Sequence, residues 1–347
     1  MKRMLSTGLM VSASAIVLGA TLASAQAVEL KIAHFVTPKH SVSIWIENWA
    51  KKLEAQSNGA LTFKIFPSMQ LGPPPKYYDI ARTGQADITW FVHGFTPGRF
   101  PLSEISNLPY MVGSSEIGTK MLNEPAVRKY LDREHQGVRP LLLMTHQPGN
   151  IHTAKTPIRK VEDMKGMRLR FSSAPVKDFI AALGGTPVGM PPTQIVESMQ
   201  KGSLDGAFID YGGAGTAFRM GPVTKYTTEM YSYVTSFCIC MNQASYDKLP
   251  ANLKKMIDDS FVGVEKAVGH EWDKIDDVGK AIMMKEGMTP IKLSKAEDDK
   301  FRAAGAKVAE PILAALEKKG LPARDVDKLM RSLVAKHEKT SRTFWTR

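Results

Sequence analysis

Cysteine is almost missing. Cys238 and Cys240 are the only two in 347 residues, so the fold is not a disulfide scaffold. A Cys-x-Cys bridge inside the apolar run Val234–Met241 would be strained, and both read as small buried hydrophobes. Beyond the first thirty residues no segment offers the roughly 20 strongly apolar residues that a membrane span needs. Blocks of like charge are also missing. Lys and Arg total 46 against 34 Asp and Glu, a formal net charge of +12, but the basic residues are spread along the chain. That spread argues against a nucleic-acid partner and for a diffuse positive field that attracts anionic solutes.

Catalytic motifs are lacking as well. There is no His-Glu-x-x-His, no Gly-x-Ser-x-Gly and no phosphate loop ending in Gly-Lys-Ser/Thr. Ser245-Tyr246-Asp247-Lys248 fits Ser-x-x-Lys, but its companion motifs are absent, and Ser245 reads better as a helix start. His34, His40, His93, His146 and His152 show no metal-ligand spacing. Neither a catalytic residue nor a metal or other cofactor is expected.

What is present begins with a leader. Lys2 and Arg3 precede an uncharged stretch, apolar around Leu9–Leu22 but diluted by Gly, Ser and Thr. It ends in Ala23-Ser24-Ala25. That order is a secretory signal with a small-x-small cleavage site. Residues 1–25 are therefore expected to be removed on export to the periplasm. The remainder, roughly 320 residues, suffices for two domains.

Strands and helices then alternate. Val28–Phe35 reads as a strand, Ser41–Ser57 as an amphipathic helix with Ile44, Ile46, Trp49 and Leu53 on one face, and Leu61–Phe66 as a strand. Asp87–Val92, Val138–Met144, Met167–Phe171 and Gly206–Ile209 continue the strand series, with helices between. Ala251–Glu286, free of proline, reads as one long helix able to lie across two lobes. Ile291–Leu293 reads as an edge strand. The rhythm implies an α/β fold with mostly parallel sheets.

A short internal similarity suggests two related lobes. Pro73-Pro74, a helix, Gly84, Asp87 and a strand recur as Pro191-Pro192, a helix, Gly202, Asp205 and a strand. Ligands in open α/β sheets bind beyond the carboxyl ends of strands. Trp90 to His93 should then face Phe208 to Tyr211 across a crevice.

In Gly166-Met167-Arg168-Leu169-Arg170-Phe171 the apolar residues alternate to one face and both arginines to the other. Arg170 lies nearer the crevice end. Its planar fork suits a carboxylate; alternatively, both arginines sit on an exposed edge or pair with nearby acids.

Gly166–Phe171, followed by Ala174–Leu183, Gly184-Gly185-Thr186-Pro187-Val188, Met190-Pro191 and Gly202-Ser203-Leu204-Asp205-Gly206, resembles the central signature of TRAP transporter solute-binding proteins. Leu30–His34, Gln70-Leu71-Gly72, Gly84–Ile88, Leu108–Met111 and Leu249-Pro250 are similar to further family landmarks in the expected order. The resemblance implies a two-lobe periplasmic binding protein with a hinge, in which Arg170 pairs with a substrate carboxylate. It also implies delivery of a small organic acid to a sodium-coupled TRAP permease. The expected partition is 26–149 plus about 237–270 for the first lobe, and 150–236 plus about 271–347 for the second. The protein is expected to be a monomer.

Departures shape the ligand. Where many members carry Asn after the Asp-Gly pair, this chain has Ile209 and Asp210. No second arginine lies in Pro148–His152. Both features argue against a small dicarboxylate held at both ends. Phe35, Trp90, Phe91, Phe95, Tyr211 and Phe237 are candidate walls suited to a ring. His34, His93 and Asn150 are candidate hydrogen-bonding groups. An aromatic or cyclic monocarboxylate is favoured, Asp210 being placed to accept from a hydroxyl. A C4-dicarboxylate, keto acid or sugar acid is the alternative. Another uptake system or a periplasmic enzyme on small acids is the rival class.

Overall fold

The computed structural model describes residues 27–345. The expected leader, 1–25, lies outside the described residues. The first half of the described chain runs β1 Val28–Ala33, α1 Ser41–Gln56, β2 Leu61–Phe66, α2 Tyr77–Arg82, β3 Ile88–Val92, α3 Ser115–Asn123, α4 Pro125–Leu131, β4 Val138–Thr145, β5 Gly149–Thr153, β6 Arg168–Phe171 and α5 Ala174–Ala182. It continues with β7 Thr186–Gly189, α6 Ile195–Gln200, β8 Gly206–Ile209, β9 Tyr226–Tyr233, β10 Ser236–Asn242, α7 Gln243–Lys248, α8 Ala251–Asp259, α9 Glu265–Lys285, β11 Thr289–Lys292, α10 Lys295–Glu317 and α11 Ala323–Glu338.

Two sheets form, one per lobe, in the orders β2-β1-β3-β10-β4 and β7-β6-β8-β5-β9-β11. Their plans match. In each, a central strand pairs in parallel with two neighbours, and two antiparallel strands follow. The internal similarity read from the sequence marks this equivalence. Gly84 and Gly202 both take left-handed φ, +73° and +70°, where the absence of Cβ removes the penalty. Three residues on, each Asp performs the same task. The Asp87 carboxylate accepts from Lys31 N at 2.8 Å, and that of Asp205 accepts from Arg168 N at 2.8 Å. Both returning amides donate to the same partners, Lys31 O and Arg168 O. Each Asp thus locks the entry of one strand to its neighbour, at Lys31 within β1 and at Arg168 where β6 begins, and both neighbours end at the crevice.

The chain passes between lobes at β4–β5 and again at β9–β10. The two crossings touch where Thr235 N donates to His146 Nε2 at 3.0 Å. Two helices cross as well. Val268 and Trp272 of α9 belong to the first core and Met283 to the core beneath β8. Phe301 and Val308 of α10 belong to the second-lobe core, Leu313 and Leu316 to the first.

Two expectations change. The single helix over Ala251–Glu286 is two, α8 and α9, broken at 260–264. Trp49 Nε1 donates to Ser260 Oγ at 2.8 Å, Phe261 packs on Trp49 with ring centroids 5.2 Å apart, and Gly263 turns the chain with φ +72°. The range 271–347 does not form one lobe either. Ala323, Val326, Met330 and Val334 of α11 are buried in the first core. The edge strand near Ile291–Leu293 is β11, at the border of the second sheet.

Candidate functional site

The carboxyl ends of β3 and β8 meet at a cavity between the lobes. The first lobe supplies an aromatic wall. Trp90 and Val92 point into it from β3, while the pleat turns Phe91 to the opposite face, against Tyr78 and Phe100. Phe35, just past β1, stacks on Trp90 at 4.8 Å and 15°; Trp90 stacks on Phe237 of β10 at 5.1 Å and 23°; Phe237 stacks on Trp272 of α9 at 5.6 Å and 20°. The result is a near-parallel ladder of four rings, with Phe95 at its edge.

The second lobe supplies the charges. Arg170, one residue before the end of β6, has 3% of its surface exposed. Its Nε donates to Met190 O at 3.1 Å and Nη1 to Phe208 O at 3.2 Å. Of five guanidinium N–H groups, three remain for the cavity. Among the described residues no carboxylate lies within ion-pair distance. Burial therefore lowers the Arg170 pKa, against the opposing pull of Tyr233 and Asp210. Arg168 fares differently: its guanidinium forms a forked pair with Asp205 on the surface, at 2.9 and 2.7 Å. Ile209, Asp210, Gly213, Pro192, Phe218 and Tyr233 complete this side. The crossing strands add His146 and Thr235, the latter bonded to Ser172 Oγ at 2.8 Å.

Two histidines in the wall are held neutral. His40 caps α1 by accepting from Val42 N at 3.1 Å, and burial lowers its pKa to about 3. His146 is lowered by burial, with Asp210 pulling the other way. The Tyr233 hydroxyl sits beside Ser172 yet completes no hydrogen bond of normal geometry, and the buried Trp90 Nε1–H has no partner. Space for solvent within the cavity is about 50 Å³, against roughly 10–15 Å³ for one water on this measure. That is room for a few waters.

Of the residues expected to face the crevice, the cavity collects Arg170, Phe35, Trp90, Phe95, Asp210 and Phe237. The others point elsewhere for local reasons. His34 turns its Nδ1 to Val36 O, and His93 is held between Ser236 and His135, 3.0 Å from each. The Asn150 carbonyl accepts from Met230 N and Tyr231 N, spanning the irregularity in the β5–β9 register. Tyr211 donates to Glu229 and packs on His152, away from the cavity. No cluster of His, Cys, Asp or Glu among the described residues is arranged to hold a metal ion, and no described helix is long and apolar enough to cross a membrane.

The sequence model of the bacterial extracellular solute-binding proteins, family 7, matches residues 32–315. The chain belongs to this family, the solute receptors of TRAP transporters. Such receptors bind substrates rather than transform them. A solved TRAP receptor from an unidentified marine microbe, described as specific for aromatic acid ligands and holding 3-hydroxybenzoate, is 30% identical. It aligns over 90% of this chain and 99% of its own with a TM-score of 0.85. A receptor from Rhodoferax ferrireducens with copurified benzoate is 29% identical over the same shares, TM-score 0.82. The C4-dicarboxylate-binding periplasmic protein of Rhodobacter capsulatus is 24% identical over 88% of this chain and 91% of its own.

The cavity between the lobes is the candidate site. His40, His146, Phe218, Tyr233, Thr235 and Trp272 line it without having been singled out from the sequence. His40 stands before an amphipathic helix, a signal for a cap. The others carry none, because crossing strands and a distant helix bring them together.

Proposed function

We propose that this receptor captures a small aromatic monocarboxylate in the periplasm and delivers it to a TRAP permease. The observation that carries this reading is a buried cation with no carboxylate within ion-pair distance, facing a ladder of rings. A desolvated guanidinium requires a counter-charge, and a carboxylate matches its free N–H groups. Opposite it, Phe35, Trp90, Phe237 and Trp272 offer apolar faces over which a flat ring buries its surface. An aliphatic dicarboxylate would leave those faces poorly covered and its second charge without a partner. Two relatives with about 30% identity hold benzoate or 3-hydroxybenzoate, which supports the same class. Family membership supports a TRAP permease as the partner, which we take to be sodium-coupled, and supports the periplasm, to which the expected leader at 1–25 also points.

Calorimetry with benzoate tests the assignment. Arg170→Ala should retain its fold and lose about 2–5 kcal/mol of binding, roughly 30-fold or more in Kd. Arg170→Lys should also bind poorly, since an ammonium lacks the planar fork. Arg168→Ala, on the surface, should bind normally. Near-native benzoate binding by Arg170→Ala would remove Arg170 from the site.

A further inference from the structure

Asp210 stands where the proposed ligand has no obvious need of it. A carboxylate sits in the wall of a cavity whose cation is to be matched by the ligand's own carboxylate. Its Oδ2 is occupied: Gln147 Nε2 donates at 3.0 Å, and Gly213 N donates as well. Its Oδ1 receives no hydrogen bond. The nearest basic atom is His146 Nδ1 at 3.9 Å.

His146 does not neutralise it. Its Nε2 accepts from Thr235 N, so the ring proton resides on Nδ1, which is directed at Gln147 O. A second carboxylate lies beside Asp210. Asp276 of α9 shares the Gln147 amide, at 2.6 Å, and also accepts from Gly212 N at 2.9 Å. It is the more deeply placed of the two, and burial together with the charge of Asp210 raises its pKa. Asp276 does not line the cavity, so Asp210 Oδ1 is the carboxylate oxygen there without a donor.

Resting on the aromatic-acid reading, we propose that Asp210 is the specificity residue of the cavity, selecting aromatic monocarboxylates that carry a ring hydroxyl and rejecting those with a second carboxylate. Arg170 and Asp210 leave adjacent parallel strands, β6 and β8. Both anchors therefore belong to one rigid lobe, with the ring ladder opposite. A ring seated between them presents its carboxylate to one and a donor to the other. A hydroxyl supplies the hydrogen that Oδ1 lacks, whereas a second carboxylate meets like charge in a desolvated site.

Titration calorimetry of the full mature chain with benzoate, the 2-, 3- and 4-hydroxybenzoates, 3-methoxybenzoate and isophthalate decides it. At least one hydroxybenzoate should bind about tenfold or more tighter than benzoate, since a site built for a hydroxyl discriminates against its absence. The methoxy compound, whose oxygen has no hydrogen, should show no such gain. In Asp210→Asn, which keeps an acceptor for Gly213 and Gln147, the hydroxyl preference should fall to about threefold or less and isophthalate should tighten. An undiminished preference in Asp210→Asn overturns the assignment. So does wild-type binding of isophthalate or of the methoxy compound as tight as that of the best hydroxybenzoate. Should Asp210→Asn fail to fold, the wild-type comparison of hydroxy, methoxy and isophthalate still decides. If benzoate itself fails to bind while an aliphatic dicarboxylate binds, the aromatic-acid reading falls, and this one with it. If benzoate binds and hydroxybenzoates gain nothing, only the role of Asp210 falls.

Discussion

Glu104, in a 3-10 turn of the first lobe, accepts from Ala174 N at the start of α5 in the second. The cap residue Ser173 makes no such bond with its own side chain, so the carboxylate serves as cap across the lobe boundary. Burial raises the Glu104 pKa from 4.5 to about 7, opposed by the Ala174 bond and helped by Glu134. The folded protein therefore holds a proton here that the unfolded chain releases between pH 4.5 and 7. Glu104 contributes most stability below pH 4.5 and loses it as pH rises through 7. Glu104→Gln cannot ionise, so the unfolding free energy of the wild type relative to the variant should fall by about 3 kcal/mol between pH 4.5 and 8. Urea titrations at the two pH values measure it, and a constant difference would show that Glu104 does not titrate in this window. Residues of this kind were not legible in the sequence, because their role depends on a partner that folding delivers. Arg170 was legible because its strand announced both its face and its end. Asp210 was legible through its position after Asp205-Gly206. Phe91 and Tyr211 passed as wall residues because aromatic type does not reveal which side of a pleat or turn a ring takes.

Helix α9 carries a stripe that no hydrophobic pattern reports. A Cβ added at Gly269 would lie 2.3 Å from Glu116 Cα, and one at Gly279 would lie 2.0 Å from Tyr211 O. Each glycine lets the helix lie against the backbone of a different lobe. Between them, Asp273 accepts from Ser115 N and Glu116 N of α3, while Asp276 binds Gly212 N and Gln147. In an exposed helix, replacing Gly by Ala gains about 1 kcal/mol. Here the collision outweighs that gain, since overpacking against backbone costs about 1–3 kcal/mol. Gly279→Ala should lower the urea midpoint by a net loss of up to about 2 kcal/mol, with the slope unchanged; a stabilised variant would mean that α9 shifts freely. The strands and most helices were readable from period and breakers. The end of α8 was not, because Trp49, two hundred residues earlier, fixes the turn at Phe261. The paired lobes were readable because Gly84/Asp87 and Gly202/Asp205 do the same geometric work twice.

For the whole molecule, the hinge and the site share residues. His146 and Thr235 form the contact between the crossing strands and also line the cavity. A ligand that bridges Arg170 to the ring ladder touches both lobes and should favour the closed arrangement. Small-angle scattering of ligand-free and benzoate-saturated protein should show the radius of gyration falling on binding; identical profiles would count against a hinge. The return of α11 to the first lobe has a different consequence, one of timing. The chain completes the second lobe's strands before it supplies Val326, Met330 and Val334 to the first lobe's core. The lobe that begins the sequence is thus the last to be finished. An exported chain that emerges amino terminus first would present an open apolar seam beside α3 until its final helix arrived, and throughout that interval it would depend on holding factors rather than on its own packing.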